Sequence, residues 1–75
     1  MSRQRWVGPA PSVCDLCNAP LETEFVDCKL GPASPGPGRW ANCCYACFQR
    51  YGVGLGVGRG QHYRGNRTDG FQVVP

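Results

Sequence analysis

The chain has 75 residues, 11 of them glycine and seven proline, and a formal charge of +3. That length allows one domain at most, whose apolar interior alone gives marginal stability, so a metal, disulfides or a partner is expected as a staple. No apolar stretch approaches the roughly 20 residues of a membrane-spanning helix, which excludes that class.

Residues 1–13 read as an extended basic arm. Pro9 and Pro11 bar a helix, Arg3 and Arg5 supply charge, and Trp6 is an apolar anchor for the core or for a partner. Residues 7–11 form no apolar run of leader length, so a reducing cytoplasm is expected, where paired cysteines favour metal over disulfide. Cys14-x2-Cys17 then makes a tight turn, and residues 24–30 hold β-formers that predict a strand. Residues 31–38 carry three prolines and three glycines, which nothing regular survives; they read as the tip of a long hairpin loop returning through residues 39–43. Cys44-x2-Cys47 opens a short helix that runs to Tyr51, with Gly52 where a C-terminal glycine cap belongs. Two turns do not persist alone, and a metal bond in the first turn would supply nucleation.

From Gly52 to Gly58 glycine alternates strictly with Val53, Leu55 and Val57. An extended strand puts those three side chains on one face and bare glycines on the other. A flexible tail is the alternative; the ordered strand is the expectation. Residues 60–70 are polar and turn-rich, and residues 71–74 are apolar enough for a short final strand. The expected division is an arm over residues 1–13, a zinc-binding domain over 14–58 and a Gly/Arg-rich tail with an apolar end over 59–75.

The two Cys-x2-Cys pairs are separated by 26 residues. Zinc takes four ligands in a tetrahedron and favours thiolate, so Cys14, Cys17, Cys44 and Cys47 are expected to hold one structural Zn2+. Iron in the same sulfur cage and two disulfides are the alternatives. Cys43 adjoins Cys44 and raises a register question; pairing Cys44 with Cys47 repeats the first pair's spacing. Cys28 and Cys43 then remain as small buried apolar residues, on strands where they would face each other.

A closed four-thiolate shell leaves no position for water, so metal-assisted hydrolysis is not expected. His62 is the only histidine, no Ser-His-Asp or Cys-His set is available, and the glycine run satisfies neither G-x-G-x-x-G nor a phosphate loop. The expectation is a protein that is not an enzyme and takes no small-molecule substrate. Charge is uneven: the arm carries +2, residues 14–49 sum to −2, and residues 50–75 sum to +3. With four thiolates and one divalent ion the loaded chain falls near +1. Basic arms suit nucleic acid or an acidic protein, although scattered arginines also serve solubility alone.

The set Cys14-x2-Cys17, Phe25-Val26-Asp27, Gly38-x-Trp40-Ala41, Cys44-x2-Cys47 and Gly52-Val53-Gly54-Leu55-Gly56-x-Gly58-Arg59-Gly60-Gln61-x-Tyr63 resembles small zinc-ribbon-like proteins of tailed bacteriophages and prophages. The resemblance covers residues 14–63 and implies a phage setting and a metal, not an activity. The Pro/Gly run, Cys28, Cys43 and the stretch after Tyr63 depart from that pattern.

The expected fold is a small metal-stabilised α+β unit of zinc-ribbon or treble-clef type: two knuckles, a β-hairpin and one short helix. The expected role is a non-catalytic module working through contacts with phage structural proteins or a host protein, in the host cytoplasm or the virion. Trp6, Val53, Leu55, Val57, Arg59, Tyr63, Arg64 and Arg67 are the candidate contact residues. The alternatives are a nucleic-acid-binding regulator using Arg59, Arg64, Arg67, His62 and Tyr63, and an inhibitor of a host enzyme.

Overall fold

The run Glu24–Lys29 forms the first strand, β1, and the chain returns antiparallel through Trp40–Cys43, β2, as the sequence predicts. The helix α1 spans Tyr45–Tyr51, and two further strands follow, β3 over Gly60–Asn66 and β4 over Gly70–Val73. The four strands make one antiparallel sheet in the order β2-β1-β3-β4. The computed structural model describes residues 5–74, so Arg3 of the basic arm lies outside the described residues. Among the described residues no helix is long and apolar enough to cross a membrane.

Two stretches differ from expectation. The polar, turn-rich stretch 60–70 contains β3, which lies inside the sheet and pairs Gln61, His62 and Tyr63 with Asp27, Val26 and Phe25. Its glycines, arginine and asparagine are poor strand formers; packing of His62 on one face and Tyr63 on the other overrides local preference. The stretch 52–58 is instead a loop. Gly54, Gly56 and Gly58 have φ of 123°, 125° and 77°, which takes the backbone out of the extended range. Val53, Leu55 and Val57 are therefore exposed rather than shared by one strand face.

Each face of the sheet packs differently. On one, Val26, Cys28, Ala41, Cys43 and His62 lie toward α1, whose Tyr45 ring sits 5.1 Å from that of His62. On the other, Phe25 stacks on Tyr63 with centroids 5.1 Å apart, and Trp6 meets both rings edge-on at 5.1 and 5.3 Å. Phe71 of β4 closes the cluster 5.1 Å from Phe25. The arm reaches this cluster along the outer edge of β4: the Trp6 amide donates to the Phe71 carbonyl at 2.9 Å, and Arg5 bridges to Gln72. Arg67 secures the arm from the opposite side, donating to the carbonyls of Pro11 at 2.9 Å and Leu21 at 2.7 Å.

The Pro/Gly run is a folded loop. Ser34 is buried, donates to the Gly31 carbonyl at 2.7 Å and accepts from the Gly36 amide at 3.3 Å.

Gly52 and Gly60 are among the glycines that close approach requires. Gly52 follows α1 with φ −76°, so it is no left-handed cap; a Cβ there would lie 2.6 Å from the Phe48 ring and 2.9 Å from its carbonyl oxygen. At Gly60 a Cβ would lie 2.8 Å from the Cys28 Cβ and 2.9 Å from the Asp27 carbonyl oxygen, on the adjacent strand. Gly60→Ala is expected to lower the unfolding free energy by about 1–3 kcal/mol in denaturant titration, whereas exposed Thr68→Ala stays within about 0.5 kcal/mol.

Candidate metal centre

The first cysteine pair sits on a turn closed by backbone bonds. The Asn18 amide donates to the Cys14 carbonyl at 2.9 Å, and the Cys14 amide to the Ala19 carbonyl at 2.8 Å. Asn18 has φ 65°, the left-handed region that asparagine tolerates best among residues with a side chain. The Leu16 amide points at the Cys14 Sγ, 3.4 Å away. Asp15 docks this turn on β2 through two bonds: its amide donates to the Asn42 carbonyl at 2.9 Å, and its Oδ2 accepts from the Asn42 amide at 2.8 Å. That acid carries the geometry of the site, and sequence reading passed over it as one more charge.

The second pair opens α1. Cys44 is its N-cap, with φ −68° and ψ 161°, and makes no side-chain cap hydrogen bond. Cys47 lies one turn inside, buried. The arrangement frees the Cys44 sulfur to face the first turn, and its Sγ stands 3.7 Å from that of Cys17. All four sulfurs, of Cys14, Cys17, Cys44 and Cys47, lie within 4.8 Å of one another and are placed to hold a metal ion. Cys14 and Cys47 form the buried side of the cluster, Cys44 is half-buried and Cys17 is exposed.

Four thiols this close cannot all ionise without a cation among them. Burial opposes the Cys14 thiolate, but the backbone groups of Cys17, Cys44 and Leu16 and the Cys17 thiol outweigh it, bringing its pKa down to about 6. Burial and then the neighbouring sulfurs of Cys17, Cys44 and Cys14 push Cys47 up. At Cys17 bonds from the Ala19 backbone and Cys47 favour the thiolate, yet the Cys14 and Cys44 sulfurs and desolvation leave its pKa raised. An anionic Cys14 beside protonated Cys17 and Cys47 is a site that gains further charge by exchanging protons for a metal.

Cys28 and Cys43 stand apart from this set. They are not directly opposite as expected but diagonal on one face of the hairpin, Cys28 across from Ala41 and Cys43 across from Val26, with sulfurs 3.9 Å apart and both fully buried. Burial raises both pKa values, and Cys28 and its neighbours raise Cys43 further. They are neutral thiols packed as apolar groups beside the four-cysteine cluster.

The candidate contact residues divide. Val53, Leu55, Val57, Arg59 and Arg64 are exposed, with Arg64 3.8 Å from Glu24. Tyr63 is buried, Trp6 is half-buried in the aromatic cluster, and the Arg67 guanidinium is engaged by two carbonyls, so these three serve the fold. His62 is buried too, its Nε2 2.7 Å from the Glu24 carboxylate. Comparison with known protein families, characterised proteins and solved structures finds no match for this chain.

Two measurements check the centre. Cys47→Ser is expected to abolish stoichiometric metal content, while Cys28→Ser retains it. In weakly buffered solution at pH 7.5, loading one metal ion is expected to release at least two protons, because Cys17 and Cys47 are raised above 9.0 whereas Cys14, near 6, is already ionised. Binding that releases protons tightens as pH rises and weakens as pH falls toward 6.

Proposed function

We propose that the chain is a non-catalytic, zinc-organised interaction module that acts through protein contacts. The setting implied by its motif string is that of an accessory protein of a phage virion or capsid, made in the host cytoplasm. The observation that carries the zinc reading is the convergence of both knuckles. A tetrahedral shell with Zn–S bonds of about 2.3 Å has sulfur–sulfur edges of about 3.8 Å, and the Cys17–Cys44 separation is 3.7 Å. The chain order of knuckle, hairpin and a second knuckle opening a helix is treble-clef-like.

Four thiolates would fill zinc's shell, so the ion would fix the fold and leave no position for a substrate. Its chemistry is then to neutralise thiolate charge and tie residues 14–17 to residues 44–47. His62 is spent on Glu24 and Tyr45 inside the structure, which supports a structural histidine rather than a general base. The contact surface is the loop 53–57. Leu55 and Val57, with Val73 and Val74, line an open apolar groove of about 460 Å³. Val57 is fully exposed and Leu55 is 45% exposed, an arrangement suited to an apolar side chain of a partner.

Elemental analysis of protein purified under reducing conditions is expected to give one zinc per chain and no visible absorption; a coloured, iron-loaded protein would overturn the zinc assignment. A photo-crosslinking residue at Leu55, but not at Thr68, is expected to capture one discrete protein in the producing cell. Equal labelling at both positions would remove the groove from the account.

A further inference from the structure

The eight lysines and arginines are not equally available. Arg5 donates to the Asp69 carbonyl at 2.7 Å, Arg67 to two carbonyls, and Arg64 lies beside Glu24. Four others, Lys29, Arg39, Arg50 and Arg59, are all exposed. Among the described residues none of these four lies within 4.0 Å of a carboxylate oxygen.

The fold gathers these four at the end of the sheet away from the cysteine cluster. The Lys29 amide donates to the Arg59 carbonyl at 2.8 Å, and the Leu30 amide to the Arg39 carbonyl at 2.8 Å, so the ends of β1, β2 and β3 bring three cations side by side. The last turn of α1 joins them: the Gly31 amide donates to the Tyr51 carbonyl at 2.7 Å, and Arg50 lies over the Tyr51 ring. Trp40 adjoins three of them, Lys29, Arg39 and Arg59, whereas Arg50 comes from α1 on the opposite face of the sheet. Trp40 pairs with Lys29 across the strands, follows Arg39 in sequence, is 53% exposed and lines a depression on either side of β2. Two carboxylates border these depressions. Asp15 is bonded to the Asn42 amide, and Asp27 is half-buried in the floor between Trp40 and Gln61. The three cations beside Trp40 outnumber them.

An exposed indole beside unpaired cations is the composition that grips a strand's phosphates while stacking on its bases. From this placement we propose that the Trp40 end of the sheet binds single-stranded nucleic acid, with Lys29, Arg39 and Arg59 on phosphates and Trp40 stacked on a base. The site shares only Arg59 with the set that the sequence alone suggests. It rests on the metal-organised fold proposed above but not on the protein-contact groove, so the module would join a protein to a nucleic acid strand.

The test uses zinc-loaded full-length protein and a fluorescein-labelled 12-nucleotide oligothymidylate, read by anisotropy. With about three phosphate contacts, affinity is expected to fall about 20-fold between 50 and 200 mM salt, from a slope of roughly −0.7 per contact. Arg39→Ala/Arg59→Ala should flatten that slope by about 1.4. Trp40→Ala should weaken binding about 5- to 100-fold without changing the slope. Arg64→Ala and Leu55→Asp should bind like the parent. All these positions are exposed, and zinc content measured on each sample verifies folding. Absence of binding at 50 mM salt, or binding insensitive to Trp40 and Arg59, would overturn the proposal, as would equally effective competition by polyglutamate, which would assign the surface to an acidic protein. Crosslinking at Leu55 reports separately on the protein-contact reading.

Discussion

The structure turns on the meeting of two cysteine pairs that lie far apart in the chain. Residues 14–17 and 44–47 come from a backbone-closed turn and from the first turn of a helix, and neither element is stable alone. Bringing their sulfurs within 4.8 Å closes a loop that contains β1, the Pro/Gly run and β2. Asp15 adds a second tie, fixing the first turn to Asn42 two residues before Cys44. On the zinc reading, the ion offsets both the entropy of that closure and the repulsion among the thiolates. It also starts α1 where no side-chain cap is available.

The rest of the fold is built outward from that knot. One face of the sheet rests on the cysteine side through Val26, Cys28, Cys43 and His62. The other would be open but for the aromatic cluster of Phe25, Tyr63, Phe71 and Trp6. The arm is consequently part of the structure: Trp6 covers rings that would otherwise face water, and Arg67 holds the chain in place. The two surfaces proposed for binding lie where neither staple reaches. The loop 53–57 has too many positive-φ glycines to pack as a strand, and the Trp40 end gathers cations that, among the described residues, have no carboxylate oxygen within 4.0 Å.

The local parts of this fold were legible in the sequence. The cysteine spacing singled out the four clustered sulfurs and set Cys28 and Cys43 apart, because ligand geometry demands short intervals. The hairpin and the helix followed from β-formers and from the breaker run between them. Long-range packing was not legible. Gly60 reads as a breaker, yet it belongs in β3 because Cys28 leaves no space for a side chain. Tyr63 and Arg67 read as a basic, aromatic tail because nothing local announces the rings of Phe25 and Trp6 or the carbonyls of Pro11 and Leu21. Lys29, Arg39 and Arg59 are scattered in sequence, and only the strand register assembles them.

The central claim is that a metal tie takes the place of the apolar interior so short a chain lacks. Its most direct test is chelation of the fully reduced protein, followed by far-ultraviolet circular dichroism and amide hydrogen exchange. The account predicts that sheet signal and exchange protection disappear as the metal leaves and return when one equivalent of zinc is restored. A metal-free, thiol-reduced chain that keeps its protected sheet and melts cooperatively would contradict it.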